Sequence, residues 1–397
     1  MKPMQGADRP SDRALLVALN AAPGLSRAAL CRLGLELPSW RSGVAPADEQ
    51  ELAARISISL DSLRTATGCF ADAPAALARE EQVAERLGAR LVTRLDADYP
   101  AGLGDLALPP PVLAIAGTLG SGPPLAPAVA IVGSRHATPY GLEVASWLAR
   151  EIASHGVVVV SGFAKGIDAA AHEGALAAEQ GRTVGVLGCG LSFDYPKGHR
   201  ELGLRIRNRG ALVSEFCCAL PPAAANFPVR NRIIAALAEI TVVVEAAARS
   251  GSLITARLAL ELGREVLAVP GRVTDEQALG VNDLLRDGAG PVTHPADILE
   301  RLGLPTGTRN GGTPLAQPEL PPAQAALLAA LDPGRDQAVD SLAAGAEVDI
   351  GVAIAALLEL ELAVCGDVVS IGNPAACHAT VPPLTFNTLL NPAPFKI

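Results

Sequence analysis

Aromatic residues are scarce in this chain: seven Phe, three Tyr and two Trp make up 3% of its 397 residues, while hydrophobic residues reach 49%. The core must therefore be built from Ala, Val, Leu and Ile. No window of about 18 uncharged apolar residues occurs. The stretch containing Asp8, Arg9, Asp12 and Arg13 lacks the apolar segment of a secretory signal. A cytoplasmic protein without a membrane partner is expected. The seven Cys include the adjacent Cys217 and Cys218 but no C-x-x-C pair, which suits reduced thiols better than disulfides or zinc. No metal site and no cofactor are expected.

Positive charge is also in deficit. A net charge of −9 argues against a generic nucleic-acid coat, which needs Lys and Arg to displace counterions. Several catalytic signatures are missing as well. The absence of G-x-x-x-x-G-K-[ST] argues against a P-loop ATPase, and the absence of G-x-G-x-x-G after the first strand weakens a nicotinamide dehydrogenase. There is no H-E-x-x-H and no G-x-S-x-G elbow. Asp168, Glu215 and Glu245 are the only acids near the strand ends, and no nucleophile and base stand together. Binding without chemistry is the simpler expectation.

What the chain does have is a repeated unit between Ala130 and Gly271. Short aliphatic runs at 130–132, 157–160, 183–187, 211–213, 241–244 and 265–269 each end in a small-residue turn and lead into a helix-like stretch. That spacing is the one βαβ units require. The exits read Gly133-Ser134-Arg135, Ser161-Gly162, Gly188-Cys189-Gly190, Ser214-Glu215, Glu245-Ala246 and Pro270-Gly271. In a parallel sheet they fall on one edge and form a crevice lined with backbone N–H groups, where an anion is expected.

Length and patterning predict an α/β protein with a Rossmann-like parallel sheet and helices on both faces, flanked by smaller domains. Residues 1–87 are Ala/Leu-rich with helical period and are broken at Ala22-Pro23-Gly24-Leu25, so a helical domain is expected. Residues 88–302 contain the α/β domain. Its extension, with Leu91-Val92-Thr93 and Pro109 to Leu113 as strands, is expected to pack on the sheet. A Gly/Pro/Thr-rich linker covers 303–322. Three short helices and a strand pair around Gly366-Asp367 predict a winged-helix-like domain over 323–374, and Pro-rich residues 375–397 read as a disordered tail.

The exits carry the candidate contacts. Thr138 and Pro139 are placed to cap and start the helix after Gly133-Ser134-Arg135. A phosphate is expected on that helix N-terminus, with Arg135 adding a charged contact. At the second exit Ser161, Gly162, Lys165 and Gly166 repeat the pattern. Asp168 can cap the next helix, and its i,i+4 spacing from His172 is more often structural than catalytic. Tyr195 and Lys197 put a ring beside a cation, and the run Lys197, Arg200, Arg205, Arg207, Arg209 is opposed by Glu201 alone. In Asn226-Phe227-Pro228-Val229-Arg230-Asn231-Arg232 the Phe stands outside any apolar run, beside two Arg. That grouping suits an unpaired base stacked on the ring with guanidinium groups on its backbone. Ser250, Gly251 and Ser252 offer a hydroxyl and N–H nest, or only a helix cap. Leu284 and Leu285 fit either a dimer face or the core.

These residues, together with Ala164-x-Gly166-Ile167-Asp168, Tyr195-Pro196, Phe227-Pro228-x-Arg230-Asn231-Arg232-Ile233-Ile234 and Ser250-Gly251-Ser252-Leu253-Ile254-Thr255-Ala256, closely resemble the DNA-processing protein A family, also called DprA or Smf. The resemblance covers about residues 88–300. It implies a Rossmann-like domain that binds single-stranded DNA in natural transformation, protects it, helps load the RecA recombinase and acts as a homodimer. It further implies Arg135 on phosphate, Lys197 and Arg230 along a basic groove and Phe227 at a base pocket. It also implies a sterile-alpha-motif-like N-terminal domain and a winged-helix-like C-terminal one. The chain departs from the family pattern at His199, where many members have Asn, at Ala238, where Ser is common, and at Ala224, where some carry a cation.

Two alternatives stand beside this. A Rossmann-like nucleotide hydrolase of phosphoribohydrolase type would use Asp168 and Glu245, but the loop before Glu245 lacks the glycine-rich phosphate motif. The C-terminal module could grip duplex DNA, but its helices carry Glu347, Asp349, Glu359 and Glu361 and almost no Lys or Arg, so a protein contact suits it better.

Overall fold

The six aliphatic runs form strands, joined by three that lie outside the repeat. A computed structural model describes residues 10–41, 49–118, 127–305, 321–330 and 338–357. Its strands are β1 (Arg90–Thr93), β2 (Val112–Gly117), β3 (Ala128–Val132), β4 (Val158–Ser161) and β5 (Arg182–Val186). They are followed by β6 (Ala211–Ser214), β7 (Ile240–Val243), β8 (Glu265–Ala268) and the two-residue β9 (Gly290–Pro291). One sheet holds them all in the order β1-β2-β6-β5-β4-β3-β7-β8-β9. From β6 to β9 every pairing is parallel, whereas β1–β2 and β2–β6 are antiparallel. The two strands read in the extension are present as β1 and β2, and they join the sheet at its edge. Its strands satisfy their backbone groups by lengthening the β6 edge.

Five helices precede the α/β part: α1 (Asp12–Asn20), α2 (Arg27–Arg41), α3 (Glu49–Arg55), α4 (Leu60–Cys69) and α5 (Ala73–Arg86). Ser11 starts α1 by accepting from the Ala14 amide at 3.2 Å, and the expected break falls where Gly24 takes φ +74°. Leu19, Leu30, Leu33, Leu52 and Leu63 form a separate small core here, each contributing about 1.5–3 kcal/mol by burial. Leu16 and Val17 of α1 and Ala84 of α5 cover Leu91, Val112 and Ala114 at the antiparallel edge.

Around the sheet, α6 (Pro139–Ser154), α7 (Ile167–Ala177), α8 (Arg200–Arg209), α9 (Asn226–Leu237), α10 (Gly251–Glu261) and α11 (Leu279–Arg286) connect the strands, and α12 (Pro295–Arg301) follows β9. The period-two pattern of a strand buried on both faces is clear at β3. Val129 and Ile131 join α6, α7 and α12 on one side, and Ala128, Ala130 and Val132 join α9, α10 and α11 on the other. Leu284 and Leu285 are half-buried against this second core. No helix of the described residues is long and apolar enough to cross a membrane.

The described residues divide into two compact units, one within Met1–Arg309 and one within Asn310–Ile397. In the second, α13 (Pro322–Ala330), α14 (Val339–Gly345) and helical residues 350–357 enclose Leu327, Leu342, Ala343, Ala353 and Ala356. The strand pair expected around Gly366-Asp367, most of the 303–322 linker and the tail at 375–397 lie outside the described residues.

Candidate nucleic-acid interface

Strand order locates the crevice. From β3 the chain crosses by α6 to β4 on one side, and it later returns by α9 to β7 on the other. The carboxyl ends of β3 and β7 therefore flank a topological switch point, where α/β sheets hold ligands. A cavity of about 880 Å³ opens there. Ten of the expected site residues line it: Gly133, Ser134, Arg135, Tyr195, Phe227, Arg230, Asn231, Ser250, Gly251 and Ser252.

The first two turns of α9 supply the ring. Phe227 is half-buried and is the second residue of α9. Its ring stacks on Tyr195, with centroids 5.4 Å apart and planes 30° from parallel. The Arg135 guanidinium carbon lies 5.0 Å from the same ring centroid. Such contacts contribute about 0.5–1.5 kcal/mol each for the ring pair and 0.5–1 kcal/mol for an exposed cation over a ring. Gly188 makes room for the stack, since a Cβ there would stand 2.6 Å from Phe227 Cδ1. Arg135 and Arg249 line the cavity and are exposed.

The α6 N-terminus, expected to hold phosphate, is already occupied. Thr138 caps α6 as predicted by accepting from the Gly141 amide at 3.1 Å. Buried Glu245 then accepts from the Thr138 amide at 2.9 Å and the Thr138 hydroxyl at 2.5 Å. A carboxylate of the protein thus fills the anion position, and a Cβ on Gly141 would overlap it. Ser134 is engaged too. Its hydroxyl donates to Gln277 Oε1 at 2.8 Å and accepts from the His136 amide at 3.1 Å.

At α10 the N-terminus remains open to the cavity. Ser250 caps it by accepting from the Ser252 amide, and the two hydroxyls are 2.7 Å apart. Asn231 ties α9 to this turn by donating to the Gly251 carbonyl at 3.2 Å. Gln277, Glu276 and His136 also line the cavity. Sequence spacing did not flag them, because Glu276 and Gln277 arrive from a short turn beyond β8 and His136 carries no pattern beyond its neighbour Arg135.

Arg230 was expected along a basic groove, but it is buried. Its guanidinium donates to the carbonyls of Gly162 and Val186, at the exits of β4 and β5, and stands near Asp168. Burial pushes it down to about 10, against the opposing pull of Asp168. Burial likewise raises the Asp168 carboxyl, with Arg230 opposing. Asp168 does not cap α7, since Gly166 is the cap residue. Asp168 accepts instead from the Ala164 amide at 3.3 Å. Ser161 is fully buried and donates to the Ile131 carbonyl at 2.6 Å. Gly166 adopts φ +78° against the Ser134 carbonyl.

His172 is structural, as its spacing had suggested. Its Nδ1 lies 2.6 Å from the Thr183 hydroxyl, which itself donates to the Val159 carbonyl at 2.7 Å. The hydroxyl proton is thereby committed, so His172 Nδ1 donates and the neutral tautomer is fixed. Burial, and then the nearby His199, drive its pKa down to about 3.

Cations on the flanks divide into free and spent. Lys165 and Lys197 are exposed outside the cavity lining, and Lys165 is near enough to His199 to oppose its protonation. The basic run is largely used in packing. Arg205 pairs with Glu173 at 2.7 Å, Arg207 donates to the Leu87 carbonyl, and Arg209 donates to Leu176 O at 2.8 Å and Ala178 O at 2.5 Å. Arg232 pairs with Glu215 at 2.5 Å, outside the cavity lining. Among the described residues no group of three His, Cys, Asp or Glu could hold a metal ion.

Comparison with known proteins follows this geometry. A family profile described as DNA recombination-mediator protein A matches residues 90–303. Protein Smf of Escherichia coli is 47% identical over 175 residues, covering 44% of this chain and 46% of that protein. A Mycobacterium tuberculosis protein bearing the name DNA processing protein DprA is 44% identical over 229 residues, 55% of this chain and 59% of its own length. The matched segments thus span about half of these two relatives. The X-ray structure of DNA processing protein A from Streptococcus pneumoniae superposes with a TM-score of 0.62 at 31% identity, over 74% of this chain and 98% of that one.

Proposed function

This chain belongs to the DNA recombination-mediator protein A family, and on that premise we propose that its crevice binds single-stranded DNA. As the resemblance implies, it would protect the strand during natural transformation and pass it to the RecA recombinase as a homodimer in the cytoplasm. The observation that carries this reading is the Tyr195–Phe227–Arg135 stack at a switch-point cavity of about 880 Å³. A base has a π-face for a ring or a guanidinium plane, and in single-stranded DNA that face is free. Arg135 already covers one approach to Phe227. A base therefore either stacks on the outer face of the guanidinium or displaces it toward a phosphate.

Exposed Arg249, Lys165 and Lys197 supply backbone contacts around the cavity. The N-terminus of α10, with Ser250, Gly251 and Ser252 in the cavity lining, suits a phosphate oxygen. The hydrolase alternative finds less support. Glu245 is consumed by the start of α6 and Asp168 is held near buried Arg230.

The deciding measurement is anisotropy of a labelled single strand and its duplex at several salt concentrations, with wild type and Phe227→Ala compared. The expected result is a salt-sensitive preference for the single strand that weakens by about 1–3 kcal/mol in the variant. Equal affinity for single strand and duplex, or no effect of the variant, would overturn the reading.

A further inference from the structure

The stack depends on where α9 stands, and α9 is held from behind by groups that never reach the cavity. Phe227 and Asn231 are four residues apart and share the crevice face of α9, whereas Arg232, five residues from Phe227, points elsewhere. Arg232 Nη2 lies 2.5 Å from Glu215 Oε2, and the Glu215 side chain is fully buried at the exit of β6. The pair is joined by that one bond, since Glu215 Oε1 and Arg232 Nη1 are buried without a hydrogen-bond partner.

Two residues from the N-terminal helices set the other end of the pair. The Glu215 carbonyl accepts from Asn20 Nδ2 at 3.2 Å and from Arg27 Nη1 at 3.1 Å. The same Arg27 nitrogen donates to Asn20 Oδ1 at 2.7 Å, and the Arg27 guanidinium lies over the neighbouring Phe216 ring at 5.3 Å. Cys31 of α2 closes the side of the pair, with its Sγ 3.8 Å from Arg232 Nη2. The Glu215 side chain is fully buried and that of Arg232 is 14% exposed, so the attraction between the charges is less screened than at the surface. A continuous chain of contacts therefore runs from Arg27 and Asn20 through Glu215 and Arg232 to the helix that carries Phe227.

We infer that Arg232 and Glu215 are positioning residues that fix the Phe227 ring for single-strand binding. The N-terminal helices thereby govern crevice affinity through Arg27 and Asn20 without touching DNA. This rests on the crevice being the single-strand site. It reassigns Arg232, whose place beside Arg230 and Asn231 in sequence had suggested a direct contact. Two Arg flanking one Asn on a helix start do different work, because successive residues are turned by about 100° around the helix axis.

The test uses the full chain and a labelled oligodeoxythymidylate, titrated at several salt concentrations where circular dichroism finds each variant folded. Arg232→Met is expected to lose roughly tenfold in affinity with an unchanged salt slope, and Arg232→Lys to recover most of the loss. Arg27→Met, remote from the cavity and less exposed to folding failure than a change at the buried pair, is expected to weaken binding in the same slope-neutral way. If Arg232→Met lowers the slope by about 0.7, Arg232 contacts phosphate directly and the inference is overturned. If both Met variants lower only the melting temperature and bind as wild type does, the role is structural and the inference is overturned as well. A wild type that binds no single strand overturns the crevice reading itself, and that outcome is distinct from the other two.

Discussion

The Arg135 guanidinium rests 5.0 Å above the ring of Phe227, so the cation nearest the crevice and the ring most suited to a base cover one another. Two residues from different connections of the sheet, 92 positions apart in the chain, become one surface. Because Tyr195 stacks on the same ring, any ligand that uses Phe227 must contend with both partners.

Replacing Arg135 separates charge from stacking. Arg135→Ala is expected to weaken single-strand binding and to flatten the dependence of log affinity on log salt by about 0.7, the share of one phosphate contact. Arg135→Lys keeps the charge but not the planar fork, so it should preserve the slope while losing part of the affinity. Anisotropy titrations check both. An unchanged slope in the Ala variant would remove Arg135 from the backbone contacts.

The start of α6 should be a stability element and not a phosphate site. Adding a methyl at Gly141 drives a Cβ into the Glu245 carboxylate, so Gly141→Ala is expected to destabilise by about 1–3 kcal/mol. Removing the cap in Thr138→Ala is expected to cost about 1 kcal/mol. Urea unfolding measures both. A Gly141→Ala protein as stable as wild type would mean that Glu245 is not held there.

Arg230 should act on the fold first. Its guanidinium satisfies the carbonyls of Gly162 and Val186 and sits beside buried Asp168. Arg230→Met should therefore destabilise by about 3–5 kcal/mol, the range for leaving a buried charge unpaired. Adding Asp168→Asn should return part of that loss, because the orphaned charge is gone. Unfolding midpoints of the two variants decide the point. A fully stable Arg230→Met would leave the side chain available as a DNA contact.

Acid should destabilise the protein partly through His172. Its folded pKa is lowered to about 3 from an ordinary 6.5, so the unfolded chain binds a proton that the folded one excludes. The stability carried by the neutral ring is complete above about pH 6.5 and drains away as pH falls toward 3, by up to about 1.4 kcal/mol per pH unit. His172→Asn, whose amide can still donate to Thr183, is expected to flatten that limb. Denaturation at a series of pH values compares the two, and identical acid limbs would refute the assignment.

Much of the architecture is legible in the residues themselves. The six aliphatic runs with small-residue exits specify a parallel sheet because a buried strand tolerates β-branched side chains on both faces. The Thr138-Pro139 pair starts α6 because a hydroxyl and a fixed φ suit a helix N-terminus. The two strands of the extension were legible as strands, but not the edge they join, because local sequence says nothing about which edge accepts a hairpin.

The candidate site was legible only in part. Arg135, Tyr195, Phe227 and the Ser250–Ser252 turn are visible as cationic, aromatic or small groups in the strand-to-helix connections, and all of them line the cavity. Motif reading could not separate Arg230 and Arg232 from true crevice residues, since a guanidinium bound to buried carbonyls looks the same in sequence as one facing solvent. It also could not foresee Glu245 at the α6 N-terminus, 107 residues from its partner Thr138.

By itself, then, the sequence determined the secondary structure, the polarity of the exits and the kind of ligand they suit, because those follow from propensity, period and side-chain chemistry. Tertiary structure alone decided which charges stay free for that ligand. Folding brings distant carboxylates and carbonyls within hydrogen-bond reach of each cation, and only those left facing water, such as Arg135 and Arg249, keep their charge for a partner.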